Sequence, residues 1–180
     1  GFATKLAPYD ANIRSPMIVS MPSRLPENVV VEKPVAGVDL VPTFFSFAGM
    51  DLPWEMHGHD LTPLLKNADA KWDHPAMMPF TARMYGSDTN QLPENKEDRN
   101  IAGVPWYVLL RQGQYKYIRT LVEGEIEELY DIGNDPEELT NLALSPKHRA
   151  TLRTFRKNTI AEMRRTKWGL VDHLPSVATE

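Results

Sequence analysis

The stretch from Glu128 to Ala143 constrains the fold of this chain more than any other. It reads ELYDIGNDPEELTNLA, in which a strand with alternating apolar residues runs into a turn at Asn134-Asp135-Pro136. Ser145-Pro146 follows as a helix start, because proline is tolerated in the first helical turn. The pattern therefore predicts a strand, a tight turn and a helix in close succession.

The same stretch resembles the tail segment of sulfatases of the alkaline-phosphatase superfamily, whose usual form is E-L-Y-D-L-x-x-D-P-x-E-x-x-N-L-A. Four further pieces are similar to segments of that family and occur in the family's order. They are GVDLVPT at 37–43, AGM with HGHDLTPLL at 48–65, RQGQYKYI at 111–118 and YDANIRSP at 9–16. The ordered set spans nearly the whole chain and identifies it as similar to the C-terminal part of a sulfatase.

The resemblance implies an enzyme that hydrolyses sulfate esters. Its nucleophile, a formylglycine made from the cysteine of a C-x-P-x-R signature, and its divalent cation, calcium, would lie outside this chain, which contains no cysteine. The expected partners are a sulfate ester substrate and the N-terminal catalytic portion, and the chain alone should have little or no activity. A phosphonate or phosphate ester hydrolase of the same superfamily, and a non-catalytic accessory or oligomerisation module, are the alternatives.

The expected fold class is α/β, the C-terminal portion of the alkaline-phosphatase-like sulfatase fold. Residues 1–75 are interpreted as a remnant of the large N-terminal α/β domain, and residues 76–180 as an α+β subdomain. That subdomain should hold a four-stranded antiparallel sheet packed by a long C-terminal helix.

The local patterns predict the elements. Met17 to Val19 reads as a buried parallel strand, and Asp39 as the N-cap of a helix that ends at Gly49. Asp60 should start a shorter helix in the same manner. The predicted strands are 77–85, 106–111, 115–121 and 127–130, with a hairpin at 112–114 and a long polar loop at 86–103.

Lys5 is the predicted catalytic residue. The family has a lysine four positions before the tyrosine of its Y-E-x-x-x-R-x-P segment, and Lys5 stands four before Tyr9. The resemblance implies contact with the sulfate and the bridging oxygen, where an ammonium group would stabilise the negative charge that develops. The alternative is a lysine that is exposed to solvent and has no catalytic role. Arg14 is interpreted as a structural ion-pair partner.

Other candidates have ordinary explanations. Ser20 begins SMPSR, which matches the serine form of the nucleophile signature, but it directly follows an apolar run and is interpreted as a chance match. His57 and His59 lack a third ligand for zinc, and Asp60 is assigned to a helix cap. No function is predicted for His74, His148 and His173.

Two further groups of residues are interpreted as structural rather than functional. The acidic group from Asp131 to Glu138 lacks the ligand spacing of a calcium-binding EF-hand and is interpreted as turn chemistry. The YKYIR run at 115–119 suggests a strand with one buried face rather than a base-stacking platform.

Composition excludes some classes of partner. A formal net charge of −4 gives no electrostatic case for binding nucleic acid or an anionic membrane. The resemblance favours a periplasmic or extracellular location if the source is bacterial. Oligomeric state and the identity of the sulfate ester stay open.

Overall fold

A computed structural model describes residues 6–81 and 90–177. The chain divides into two compact units. One comprises residues 15–76, and the other combines the described parts of 1–14 and 77–180. The N-terminal segment thus belongs to the same unit as the C-terminal half, although more than sixty residues separate the two in sequence.

The second unit is built on a four-stranded sheet. Its strands, in spatial order, are β1 (Ala76–Phe80), β4 (Tyr107–Gln112), β5 (Tyr115–Thr120) and β6 (Glu128–Asp131). Strand β4 pairs antiparallel with β5, and β5 pairs antiparallel with β6. Strand β1 lies at the other edge, beside β4. The α/β class and the antiparallel sheet expected from the sequence are confirmed.

Alternation along the strands divides the buried side chains between the two faces of this sheet. On one face the buried residues are Val104, Tyr107, Leu109, Ile118, Tyr130 and Ile132. The opposite face carries Leu110, Tyr117 and Leu129 in one cluster and Trp106, Val108 and Leu121 in another. Both faces therefore need a covering layer.

Helix α4 (Arg149–Arg165) covers the second of these faces. Its Leu152, Phe155 and Met163 recur at helical spacing and are buried among the strand residues. A 3-10 turn at Pro146–His148 precedes it, in agreement with the helix start predicted at Ser145-Pro146. Arg164 and Arg165 lie in its last turn, at the negative end of the helix dipole.

Part of the predicted loop at 86–103 is regular. A 3-10 turn (Lys96–Arg99) leads into a small hairpin of β2 (Asn100–Ile101) and β3 (Val104–Pro105). The prediction of an irregular segment there is wrong for these residues, because strands of two residues are too short to show periodicity. The predicted strand at 77–85 is found at Ala76–Phe80, and its continuation from residue 82 lies outside the described residues.

In the unit of residues 15–76, α2 (Leu40–Ala48) begins after Asp39 and ends at Gly49, which has a left-handed φ of +67°. Asp39 does not cap this helix with its side chain. Its buried carboxylate accepts hydrogen bonds from the backbone N–H groups of Ala36 (2.8 Å) and His59 (2.7 Å), which tie the loop before α3 (Thr62–Lys66) to the start of α2.

The strand predicted at Met17 to Val19 is not formed. Ile18 is 92% exposed, and no strand of the described residues pairs with this run. A short apolar run needs neighbouring strands to satisfy its backbone, and the described part of the chain supplies none beside it.

No helix within residues 6–81 and 90–177 combines the length and apolar character needed to cross a membrane.

Candidate functional site

The segment from Leu6 to Arg14 lies on the first face of the sheet, opposite α4. Leu6, Tyr9 and Ile13 pack against the buried cluster that contains Tyr107 and Ile118. The Tyr107 hydroxyl donates a hydrogen bond of 3.0 Å to the Leu6 carbonyl oxygen. The backbone directly after Lys5 is therefore fixed to β4, one of the two inner strands of the sheet.

A network of four buried or half-buried charges holds the next turn of this segment, α1 (Asp10–Ile13). Lys116 Nζ lies 2.7 Å from Asp10 Oδ1 and is ion-paired with Glu138, and the Lys116 side chain is only 1% exposed. Arg111 Nη1 lies 3.4 Å from Asp10 Oδ2. Glu138 Oε2 also accepts a hydrogen bond of 2.5 Å from the backbone N–H of Asp10.

The network, called here the Asp10 clamp (Asp10, Arg111, Lys116 and Glu138), balances two cations with two carboxylates. Charges buried in this way are tolerated because each has an opposite charge within hydrogen-bonding reach. Burial raises the pKa of Glu138 above its ordinary value, with Lys116 acting in the opposite direction. Burial also lowers the pKa of Arg111, and the nearby Arg14 adds to that effect.

The backbone of Glu138 is adapted to this role. Its φ of +57° lies in the left-handed region, which costs a non-glycine residue about 1–2 kcal/mol. This conformation accompanies a carboxylate that contacts both Lys116 and the N–H of Asp10. Strain of this kind persists only where surrounding contacts offset it.

A second set of contacts joins Tyr9 to the last strand. Glu128 Oε2 accepts hydrogen bonds from the hydroxyls of Tyr9 (3.2 Å) and Tyr130 (2.5 Å), and the two rings meet edge to face with centroids 6.3 Å apart. Burial and the neighbouring Glu128 raise the pKa of Tyr9 to about 12. Burial raises the pKa of Tyr107 to about 12 as well, so both phenols are neutral donors near neutral pH.

These contacts bring together three motifs that are far apart in sequence. YDANIRSP supplies Tyr9 and Asp10, QYKYI supplies Lys116, and ELYD with NDPEE supplies Glu128, Tyr130 and Glu138. Lys5, the predicted catalytic residue, lies outside the described residues. Arg14 is exposed, and within the described ranges no carboxylate lies close enough to form the ion pair predicted for it.

The structure gives Ser20 no feature of a nucleophile. It is exposed and precedes a turn in which Leu25 N–H donates to the Met21 carbonyl oxygen, whereas the signature requires a helix start. Its interpretation as a chance match agrees with this placement.

His59 stacks on His74 with ring centroids 3.8 Å apart, while His57 is exposed. Hydrogen bonds from Thr62 lower the pKa of Asp60 below its ordinary value, although burial alone would raise it. Asp60 thereby supports the start of α3, as predicted, one residue before the position of the N-cap. In the part of the chain that the structure describes, no three His, Asp or Glu side chains are grouped to hold a metal ion.

The prediction that the acidic residues from Asp131 to Glu138 stabilise a turn holds for only some of them. Asp131 and Asp135 accept hydrogen bonds from backbone N–H groups of the turn, among them Asn134, Leu139 and Thr140. Glu138 is the exception, since it points into the Asp10 clamp. Sequence reasoning missed Lys116 and Glu138 as site residues. The available signal was the alternation of β5, which places Lys116 on the same buried face as Ile118 and so requires a carboxylate nearby.

Comparison with known proteins identifies the class. Residues 1–166 match the family described as N-sulphoglucosamine sulphohydrolase, C-terminal, and the chain belongs to this family. The resemblance to the C-terminal part of a sulfatase is thereby confirmed.

The relatives are longer proteins. Arylsulfatase K of Mus musculus is 30% identical over 145 residues, covering 77% of this chain and 23% of the relative. The delta 4,5-hexuronate-2-O-sulfatase of Bacteroides thetaiotaomicron is 30% identical over 152 residues, covering 82% of this chain and 28% of the relative. The chain thus spans about a quarter of the length of these two proteins.

Among solved structures, the phosphonate monoester hydrolase SpPMH from Silicibacter pomeroyi superposes with a TM-score of 0.69. The match covers 93% of this chain and 32% of the other at 21% identity. At that identity the match establishes a shared fold.

Proposed function

We propose that this chain is part of a sulfuric ester hydrolase and that it holds Lys5 against the anion of a sulfate ester. Lys5 would contact the sulfate and the bridging oxygen, where its ammonium group stabilises the negative charge that develops as the ester bond breaks. The formylglycine nucleophile and a divalent cation, calcium, would be supplied by polypeptide outside this chain.

One observation carries the proposal: the backbone immediately after Lys5 is fixed to the sheet by the Tyr107 hydroxyl at Leu6 and by the Asp10 clamp four residues further on. A catalytic cation is effective only if its position is set before the reaction, because a small displacement removes most of its stabilisation of the transition state.

The unit of residues 15–76 supports the idea of a larger assembly. Several of its large apolar side chains are exposed, among them Ile18 (92%), Val30 (79%) and Trp54 (68%). Exposed apolar residues in this number suit a surface that another layer of protein covers. We therefore propose that the unit of residues 15–76, which makes up most of the predicted remnant at 1–75, contributes to the large domain of the intact enzyme, and that remaining polypeptide covers these side chains.

The test is a comparison of ester classes. The intact protein, with any polypeptide encoded before Gly1, is assayed against 4-nitrophenyl sulfate and 4-nitrophenyl phenylphosphonate. We expect kcat/KM for the sulfate to exceed that for the phosphonate by at least about 100-fold, which corresponds to about 2.7 kcal/mol of transition-state discrimination. The encoded polypeptide should also contain a C-x-P-x-R segment.

The second candidate is a phosphonate monoester hydrolase, the activity named for the Silicibacter pomeroyi enzyme whose fold this chain shares. The reverse preference in the same assay would select it. Absence of the nucleophile segment together with no hydrolysis of either ester would instead select a non-catalytic accessory module.

A further inference from the structure

The outer side of α4 and the segment that follows it form a shallow groove lined by cations. Arg119 of β5 lies at its base, and Arg153, Arg156, Lys157 and Arg164 project from the helix. Ile160 contributes an apolar patch between them. All of these residues belong to the unit that contains the sheet.

Most of these cations have no carboxylate partner among the described residues. Arg156 is the exception, because its Nε and Nη2 lie 3.0 and 2.5 Å from the carboxylate oxygens of the buried Glu127. Arg153, Lys157 and Arg164 are exposed and form no ion pair within residues 6–81 and 90–177. An anion entering the groove would meet several unneutralised positive charges.

Arg119 gives the groove a fixed base. The residue is only 9% exposed, and its Nη2 donates a hydrogen bond of 2.7 Å to the Pro175 carbonyl oxygen. Its buried Nε has no hydrogen-bond partner in the described part of the chain. A buried donor without a partner costs about 1–3 kcal/mol, more for a charged group.

The charge of α4 is not explained by helix stability. The helix carries five arginines, one lysine and one glutamate, a net charge of +5, in a chain whose net charge is −4. Arg153 and Lys157 are one turn apart, and like charges at this spacing destabilise a helix by about 0.2–0.5 kcal/mol. Neither residue lies in the last turn of α4, where the helix dipole would favour a cation.

We propose that this groove binds a sulfated glycan chain. Its cations extend from position 153 to position 164, which at 1.5 Å per residue is about 16 Å, too long for a single sulfate group to reach both ends. The guanidinium group of an arginine can bind a tetrahedral oxyanion through two parallel hydrogen bonds. Several sulfate groups on one chain would therefore bind together.

The lining argues for a glycan over other polyanions. It contains no aromatic side chain on which a nucleic acid base would stack. Ile160 is half-buried, so the described surface of the groove offers no large apolar residue to enter a lipid layer. The choice of sulfate rests on the proposed function, and sulfated sugars stand in the names of the matched family and of the hexuronate-2-O-sulfatase.

The test compares two double variants that each remove two positive charges from the same region. Arg153→Ala/Lys157→Ala removes charges of the groove, whereas Lys147→Ala/Arg149→Ala removes exposed charges that do not line it. The probe is a heparin-derived octasaccharide, with its affinity for the intact protein measured between 50 and 200 mM salt. We expect the groove variant to bind at least about tenfold more weakly. The slope of log affinity against log salt concentration should also become shallower, by the contribution of about two charges. The control variant should stay within about threefold of the unmodified protein.

Equal losses in both double variants, or no measurable binding at 150 mM salt, would overturn the proposal. A single-stranded DNA of the same charge that bound as tightly would overturn the glycan assignment. Hydrolysis of 4-nitrophenyl sulfate is measured in parallel and should be unchanged in the groove variant. Groove-dependent binding without any sulfate hydrolysis would contradict the proposed function while leaving the anion site in place, so the two failures are distinguishable.

Discussion

Lys116 Nζ lies 2.7 Å from Asp10 Oδ1, although 106 positions separate the two residues in sequence. The pair joins the segment that follows Lys5 to the middle of the four-stranded sheet, and the Lys116 side chain is almost completely removed from water. Glu138 completes the arrangement from a third region of the chain. The C-terminal half of the chain is thus bound to the short N-terminal segment that carries the predicted catalytic lysine.

Substitution Lys116→Met should destabilise the protein strongly. Without the ammonium group, Asp10 and Glu138 would face each other as buried carboxylates, and removing one partner of such a network costs about 3–5 kcal/mol. The free energy of unfolding, measured by urea titration, tests this expectation. Lys71→Met is the control, because the Lys71–Asp73 pair is exposed and should change stability by less than about 0.5 kcal/mol. Equal stability of the two variants would contradict the buried network.

Substitution Tyr9→Phe should cost about 1–2 kcal/mol at pH 8 through loss of the hydrogen bond to Glu128. The pKa of Tyr9 is raised from 10.0 to about 12 in the folded protein. Its contribution to stability is therefore fully present below pH 10 and is lost as the pH rises through 12. Urea unfolding at pH 8 and pH 11 should show the difference between Tyr9→Phe and the unmodified protein becoming smaller at the higher pH. A difference that grows with pH would show that Tyr9 ionises more easily when folded.

Substitution Gly58→Ala should disrupt the unit of residues 15–76. A Cβ atom at this position would lie 2.0 Å from the Val38 carbonyl oxygen and 2.9 Å from the Cα of Asp39. Because both neighbours are backbone atoms beside the start of α2, relief requires a backbone shift, which typically costs about 1–3 kcal/mol. Gly37→Ala is the matched control, since nothing lies within 4 Å of its added Cβ. The two melting temperatures should differ by several degrees, and identical values would refute the close approach.

Local patterns in the sequence were sufficient for the elements that depend on neighbouring residues. Gln112 and Tyr115 flank a tight hairpin with Gly113 at a φ of +55°, and the apolar spacing of α4 is regular. The run from Met17 to Val19 shows the limit. Its pattern is that of a buried strand, but a strand also depends on partners elsewhere in the chain, and such partners leave no mark within the run itself.

The candidate site was only partly predictable for a related reason. The motif containing Tyr9 and Asp10 was visible, but its attachment to Lys116 and Glu138 depends on contacts across more than 100 residues. The local pattern predicts an ordinary strand around Lys116 and a turn around Glu138, because neighbouring residues are enough to account for each pattern. The cationic groove could not be predicted from composition either. The chain as a whole has a net charge of −4, and this sum does not show that helix α4 carries a net charge of +5.

The central claim is that the Asp10 clamp acts through Lys5, and a double-variant cycle on the intact protein tests it most directly. Lys5→Ala should lower kcat/KM for 4-nitrophenyl sulfate by about 100- to 1,000-fold. Asp10→Asn should lower it about tenfold when Lys5 is present and not at all in the Lys5→Ala background. If Asp10→Asn fails to fold, Tyr107→Phe, which removes the separate hydrogen bond to the Leu6 carbonyl oxygen, takes its place in the cycle. The same loss from either of these variants in both backgrounds, or a Lys5→Ala protein as active as the unmodified one, would contradict the account.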